Sequence, residues 1–483
     1  MKTLVLFHRL ELTDMFAPMS KELAGKINIV HLAYSEAERE LLKKHQVAGP
    51  VITFKDEMKR LWDSRQEIGQ EVLDRIDSDI VRYTDGNFNL NGAIQSDRGF
   101  SLMSYEECLQ LTAVYYQFWN DFLEKYNVDY VMHEPTTLMM NFICGVLCIK
   151  RGASYVYQIM SAGDCSELCY LTMTNLNYSS PELELLYHQY ASGERQVDRE
   201  RCDLFLKKYR EELGIYLGGS ISITTSRTML ALRSLRNRLR KIVSIKKYDR
   251  ITDNIDYWEI SGDTSGQRLR NLTRYSKEID FDDFDSDQPY YYYPLHLEPE
   301  AVVLYNGSGY YTNQVKLIEN IAAQLPPGNL LYVKDHPHDF GYRSVHDFSA
   351  LKRVPNIRLI KHTVPGKLLV KHSIGVLTIT GTAGFEALLM GKQVYIFGNT
   401  FYGICPKVNY VHHVRELREI IYQNRNKIQI DDDELYFFVG AYLDALKEGM
   451  VDFFARRASK YRIDLDKNIK DIAADFVRIS EII

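Results

Sequence analysis

The chain opens on an apolar run, residues 2–7, that breaks at His8 and Arg9. It predicts a buried strand, and INIVHLAY at 27–34 predicts another. AERELLKKHQ, which follows, has helical spacing. YEECLQLTAVYYQFWNDFLEKY (105–126) places apolar residues three and four apart, which predicts a packed amphipathic helix. VDYVMHEP (128–135) predicts a strand ending in a turn, TLMMNFICGVLCIKRG a helix closed by Gly152, and ASYVYQIM (153–160) a further strand. Strand and helix in alternation mean a parallel sheet with helices on both faces.

Residues 183–280 change character and predict polar helices. LRSLRNRLRKIVSIKK (232–247) carries seven Lys/Arg and sets Leu232, Leu235, Leu239 and Ile242 on one face. That pattern is a basic amphipathic helix, suited to an anionic membrane surface or to packing its leucines on the protein. An acidic and then aromatic stretch, 280–294, reads as a linker. From 290 the alternation resumes: YYYYPLHL, NLLYVKDHP, IRLIKH, SIGVLTIT and QVYIFG as strands, with helical segments between them. The expected division is 1–182 and 290–430 as two Rossmann-like domains, 183–289 as a mainly helical insertion, and 431–483 as a helical tail packing back across both.

At 483 residues the chain exceeds one hydrophobic core, and a net charge of -5 gives no general bias toward nucleic acid. No stretch approaches the 20 or so apolar residues of a membrane span, and the amino terminus reads as a strand, not a signal peptide. Seven cysteines, an odd number, argue against a disulfide framework and read as buried thiols of a cytosolic protein. Tyrosine is abundant at 34 residues, which either serves polar ring-shaped ligands or is a quirk of composition.

Two stretches carry candidate chemistry. In TITGTAGFEALL a strand ends at Thr380, Gly381 permits a tight turn, and Thr382 opens a helix whose free amides would favour an anion. Thr380 and Thr382 add hydroxyls, and Glu386 could accept from ribose hydroxyls. Capping of the helix by Thr382, with Glu386 favouring the helix dipole, is the plainer alternative. In VKDHPHDFG, Lys334 and His336 follow a strand, and Pro337 fixes the backbone after the histidine. Both could hold a phosphate. The Asp335, His338 and Asp339 spacing fits no standard metal pattern. FDDFDSD has paired acids but lies in the linker, so neither metal nor cofactor is expected.

Together YYYYPLHLEPEA, LYVKDHPHDFG and TITGTAGFEALLMGKQVYIFGNTFY resemble the bacterial capsule polysaccharide biosynthesis family, which includes retaining β-Kdo transferases. Its His-Pro element also occurs in bacterial sialyltransferases. The resemblance covers residues 290–403. It implies an α/β fold of the GT-B type, two Rossmann-like domains facing a cleft, and a nucleotide-activated sugar donor, with CMP-Kdo the leading candidate. Glu300, Lys334, His336, Thr380, Gly381, Thr382 and Glu386 would line the donor site, and Tyr402 matches the family's aromatic position after the last strand. A glycan or glycolipid would be the acceptor, and the enzyme would work in the cytoplasm or at the inner face of the membrane.

Glycosyl transfer needs a base or a carboxylate nucleophile. Glu134 and Asp164, each just past a predicted strand, are the candidates, with His133 a weaker one. Two rivals stand beside this reading. One is a CDP-polyol phosphotransferase; the other is a non-catalytic glycan-assembly protein of the same fold.

Overall fold

The computed structural model describes the whole chain except residues 162–167, 212–225, 299–300, 308, 337–338, 425–430 and 452–462. The candidates Asp164 and Glu300, with Pro337 and His338 of the His-Pro loop, fall outside the described residues. The chain forms two compact units. One holds residues 1–196, 250–254 and 441–483; the other holds 197–249 and 255–440.

The first unit is built on one sheet. Its strands are β1 (Thr3–His8), β2 (Asn28–Ala33), β3 (Val51–Thr53), β4 (Tyr130–Met132), β5 (Ser154–Ser161), β6 (Cys169–Thr174) and, far along the chain, β13 (Lys447–Glu448). Their order across the sheet is β13-β6-β5-β4-β1-β2-β3. The five strands from β5 to β3 run parallel, while β6 is antiparallel to β5 and β13 to β6. Every residue of β1 is buried, as expected of a strand covered on both faces. The helix Tyr105–Lys125 starts at a capping box, in which Ser104 and Glu107 satisfy each other's end of the first turn. Met139–Arg151 ends at Gly152, whose φ of 71° is the left-handed closure that glycine permits. The tail helix Leu465–Ile479 joins this unit's core: Ile472 and Phe476 pack with Met15, Phe16 and Met19.

The second unit holds β7 (Tyr290–Pro294), β8 (Leu330–Lys334), β9 (Ile357–Ile360), β10 (Gly375–Thr378), β11 (Gln393–Ile396) and β12 (Val408–Tyr410). They are parallel and ordered β12-β11-β10-β7-β8-β9. Counted from β7, the order is 3-2-1-4-5-6, the doubly wound arrangement. The four tyrosines of β7 are buried, and Tyr290 stacks on Tyr332 with ring centroids 3.9 Å apart. These tyrosines therefore fill the core. The linker is anchored too: Asp282 pairs with Lys352 at 3.0 Å and accepts from the Leu359 amide at 2.8 Å.

Both sheets reverse their winding at one place, between β1 and β4 in the first and between β7 and β10 in the second. The loops at the carboxyl ends of such neighbouring strands splay apart and leave a crevice for a ligand. Those loops carry Arg9 and Glu134 in the first unit, and His296 and Thr380–Gly381 in the second.

The basic segment forms the helix Arg227–Ser244. Three of its leucines do not pack on the protein: Leu232, Leu235 and Leu239 are exposed. The packing alternative drawn from the sequence is corrected on this point, because the helix turns a different edge, Leu230 and Ser234, inward. No described helix is long and apolar enough to cross a membrane.

Candidate functional site

In the second unit the site begins with His296, two residues past β7 and buried. Its Nε2 accepts from the Ile379 amide at 3.2 Å and lies 3.0 Å from Thr378 Oγ1. A ring nitrogen that accepts an amide proton carries none itself, so Nδ1 holds the proton. Burial, with His336 and Arg343 nearby, lowers the pKa to about 3 and keeps the ring neutral. Thr378 Oγ1 accepts in turn from the Gly381 amide at 3.0 Å. His296 is thus the peg on which the turn after β10 hangs.

That turn explains its glycine differently from the sequence expectation. Gly381 has φ -71° and ψ 153°, ordinary extended backbone. The need is for space: a Cβ there would lie 2.7 Å from His296 Cε1 and 2.8 Å from Thr378 Oγ1. Gly381 is also the N-cap of the helix Thr382–Leu389, and it offers no side-chain cap. The capping role considered for Thr382 is therefore corrected. Thr382 is the first helical residue and is exposed, at a helix start whose first amides have no side-chain cap. Tyr402 is buried behind this turn, and its hydroxyl donates to the Gly381 carbonyl at 2.7 Å. Thr380, also buried, closes the strand end.

Glu386 lies a full turn into the helix, too far in to serve the dipole at its start. Burial pushes its carboxyl up to about 7, against the pull of Lys367 and Lys334. Lys334, at the end of β8, is buried, which brings its ammonium down to about 8 although Asp335 and Glu386 oppose the shift. Lys334 and Glu386 are near enough to feel each other's charge, and burial pulls each toward its neutral form. His336 follows at a turn whose amide donates to Asp335 Oδ1 at 3.0 Å.

An acid raised above its unfolded value keeps a proton that the unfolded chain has released. The resulting stability is present at low pH and is lost as pH rises toward the folded value. Glu386→Gln removes this loss. Its melting temperature, relative to wild type, should rise between pH 4.5 and pH 7.5 by the equivalent of about 1–3 kcal/mol. Parallel pH profiles for the two proteins would show that Glu386 ionises freely.

Sequence reasoning missed the clamp that fixes these loops. Arg343, buried, donates to Glu298 Oε2 at 2.6 Å and to the His296 carbonyl at 3.0 Å. It also faces Asp339 at 3.4 Å and Asp335 at 3.6 Å. One guanidinium thereby ties the loop after β7 to the loop after β8. Burial raises Asp335 to about 6 and Asp339 to about 7 in spite of it. Gln314 completes the tie, accepting from the His296 amide at 2.9 Å and donating to Glu298 at 2.6 Å. His362, stacked on Phe340 at 3.6 Å, stands near Lys334. His296 was missed as well, although it lies within the quoted stretch YYYYPLHLEPEA; nothing in the sequence pointed to Arg343.

In the first unit the candidate acid is Glu134. Its Oε1 accepts from Arg9 Nη1 at 2.7 Å and from Thr137 Oγ1 at 3.2 Å. Burial alone would raise its pKa, but Arg9, His133 and Arg98 outweigh that and hold the carboxyl below its usual range. Glu134 is therefore an anion at neutral pH. His133 is tautomer-fixed: its Nδ1 donates to the Phe7 carbonyl at 3.0 Å, and burial lowers it to about 4. Among the described residues, no three or more His, Cys, Asp or Glu side chains gather as metal ligands would.

Residues 223–413 match the sequence profile of the capsule polysaccharide biosynthesis protein family. The capsule polysaccharide export protein KpsS of Escherichia coli is 30% identical over 128 residues, which is 24% of this chain and 32% of that protein. The capsule polysaccharide modification protein LipB of Neisseria meningitidis serogroup A is 26% identical over 95 residues, 18% of this chain and 22% of that one. The chain thus spans about a third or less of the curated relatives it matches. Among solved structures, the β-Kdo 2,4 transferase KpsC of Thermosulfurimonas dismutans aligns with TM-score 0.32 and 14% identity, over 67% of this chain and 82% of that one. The matched segment contains β7 to β12 and every described residue of the second unit's site, so the likeness to the capsule polysaccharide biosynthesis proteins lies in this part of the chain.

Proposed function

We propose that the protein is a glycosyltransferase of bacterial surface polysaccharide assembly that takes a nucleotide-activated sugar, with CMP-Kdo the leading donor. One observation carries this reading: at the winding reversal of the second sheet, an uncapped helix start, Lys334 and Glu386 stand within one matched capsule-family segment. The helix amides and Lys334 suit a phosphate, and Glu386 suits sugar or ribose hydroxyls. His336 and Thr382 would add donors, with Thr380 and Gly381 shaping the turn and Tyr402 bracing it. Glu300 of the Pro-Glu pair would join them.

In the reaction, the bond between the sugar's anomeric carbon and the nucleotide phosphate breaks. A carboxylate of the protein takes the anomeric carbon as the nucleotide leaves with the bonding electrons; the acceptor oxygen then displaces that carboxylate, and the acceptor's proton passes to the released nucleotide phosphate. We assign the reacting carboxylate to Glu134, with Asp164 as the second candidate. An ionised Glu134 is a poor proton acceptor at neutral pH and a ready nucleophile. Helix amides and basic side chains would stabilise the departing phosphate without a metal. The acceptor is a glycan or glycolipid, and the protein works in the cytoplasm, peripherally at the inner face of the membrane.

A donor screen read by mass spectrometry tests this. Incubation with CMP-Kdo, a CDP-polyol and UDP-sugars, with a lipid-free acceptor mimic, should release CMP and add one Kdo mass to the acceptor. Transfer of a polyol phosphate would establish the phosphotransferase instead. Consumption of no donor would contradict an enzymatic role.

A further inference from the structure

The helix Arg227–Ser244 is fastened to the second unit by one narrow edge. Leu230 and Ser234 are its buried residues. Ser234 Oγ donates to Asp263 Oδ2 at 2.7 Å, Arg238 Nε to the same oxygen at 3.0 Å, and Lys241 Nζ to the Ser261 carbonyl at 2.8 Å. The neighbouring helix Thr264–Glu278 approaches closely at Gly266, where a Cβ would meet Ser234 Oγ at 2.7 Å. That second helix grips the loop of the Arg343 clamp: Arg268 donates to the Phe340 carbonyl and Asn271 to the Arg343 carbonyl.

The outward face is unlike ordinary surface. Leu232, Leu235, Leu239, Ile242 and Val243 are 55–71% exposed. At 3.6 residues per turn they fall within one stripe of roughly 100°. Single exposed leucines are unremarkable, but a continuous stripe of them is not. Beside the stripe stand Arg233, Arg236 and Arg240, all exposed, with no ion pair among the described residues; the helix's one such pair is Arg238 with Asp263. Lys246 and Lys247 follow, and residues 227–248 contain no Asp or Glu.

The charge selects the occupant. A second copy of the helix laid on this face would set like charges against each other. A surface that is apolar at depth and anionic at its rim satisfies both the leucines and the arginines. We propose that this helix is a membrane-surface anchor. It lies in the plane of an anionic bilayer, with the leucine stripe among the acyl chains and Arg233, Arg236 and Arg240 at the headgroup phosphates. This rests on the helix alone and stands whichever donor the enzyme uses.

Co-flotation with vesicles tests it. The full chain should bind phosphatidylglycerol–phosphatidylcholine vesicles at least about tenfold more tightly than pure phosphatidylcholine ones, since each basic residue near an anionic surface adds attraction. Binding should fall steeply between 0.1 and 0.5 M salt, as the screening length shrinks from about 10 Å to about 4 Å. Arg236→Glu with Arg240→Glu, and separately Leu235→Ser with Leu239→Ser, should each lose at least about tenfold while melting like wild type. Equal binding to neutral and anionic vesicles, no binding to either, or variants that float like wild type would overturn the proposal. A dimer that forms with rising concentration and is lost in the leucine variant, without lipid binding, would assign the stripe to a second copy.

Discussion

Arg343→Ala should be the most destabilising single substitution in the second unit's site, costing about 3–5 kcal/mol at pH 8. The guanidinium is buried and is shared by Glu298, Asp335 and Asp339, so its removal leaves carboxylates without their cation. The cost should depend on pH. Asp335 and Asp339 are already raised to about 6 and about 7 by burial, and they rise further without Arg343. At pH 5 both can stay protonated in the folded variant, so the destabilisation shrinks; at pH 8 ionisation must be suppressed or endured, and it is full. Arg343→Lys should recover only part, because one ammonium cannot span Glu298 and the His296 carbonyl as the fork does. Thermal melts of the three proteins at both pH values give the answer. A penalty independent of pH would mean the acids are not held by Arg343.

Glu134→Gln should have the largest effect on turnover, a fall of at least about 100-fold, with nucleotide affinity near wild type. A group that acts in the transition state contributes little to donor binding, which the second unit supplies on the proposed reading. The substitution keeps the shape and hydrogen bonds of the side chain but removes the charge that Arg9 faces at 2.7 Å. Arg9→Gln separates the roles. If Glu134 serves only as a partner for Arg9, the two variants should lose activity and stability alike; if it reacts, Glu134→Gln should be far slower. Asp164→Asn, made in parallel, covers the second candidate. Normal transfer by both acid variants would place the reacting group elsewhere.

What the sequence disclosed follows from how local its signals are. Parallel strands buried on both faces are continuous apolar runs, so β1, β4, β5 and the strands from β7 to β11 stood out, as did Gly152 closing its helix. Short edge strands carry too little pattern: β3 has three residues and β13 two, and each exists through its neighbour's open edge. The turn at Thr380–Gly381 was legible from its small residues, yet the reason for its glycine was not. That reason is His296, 85 positions earlier in a loop brought alongside by the parallel pairing of β7 with β10. Arg343 was invisible for the same cause. A charged residue in a polar loop looks like solvent-facing surface until the fold sets three acids around it. Helix 227–244 shows the converse, since its amphipathic pattern was plain and only the structure revealed which face was covered.

The central claim, a nucleotide-sugar phosphate held at the winding reversal of the second sheet, is tested most directly by calorimetric titration of CMP into the wild-type protein and into His336→Ala. The account predicts saturable one-to-one binding to wild type, stronger than for UDP, and a loss of about 1.5–3 kcal/mol in a variant that melts like wild type. Absence of CMP, CDP and UDP binding to the folded wild-type protein, or equal CMP affinity in the two proteins, would contradict it.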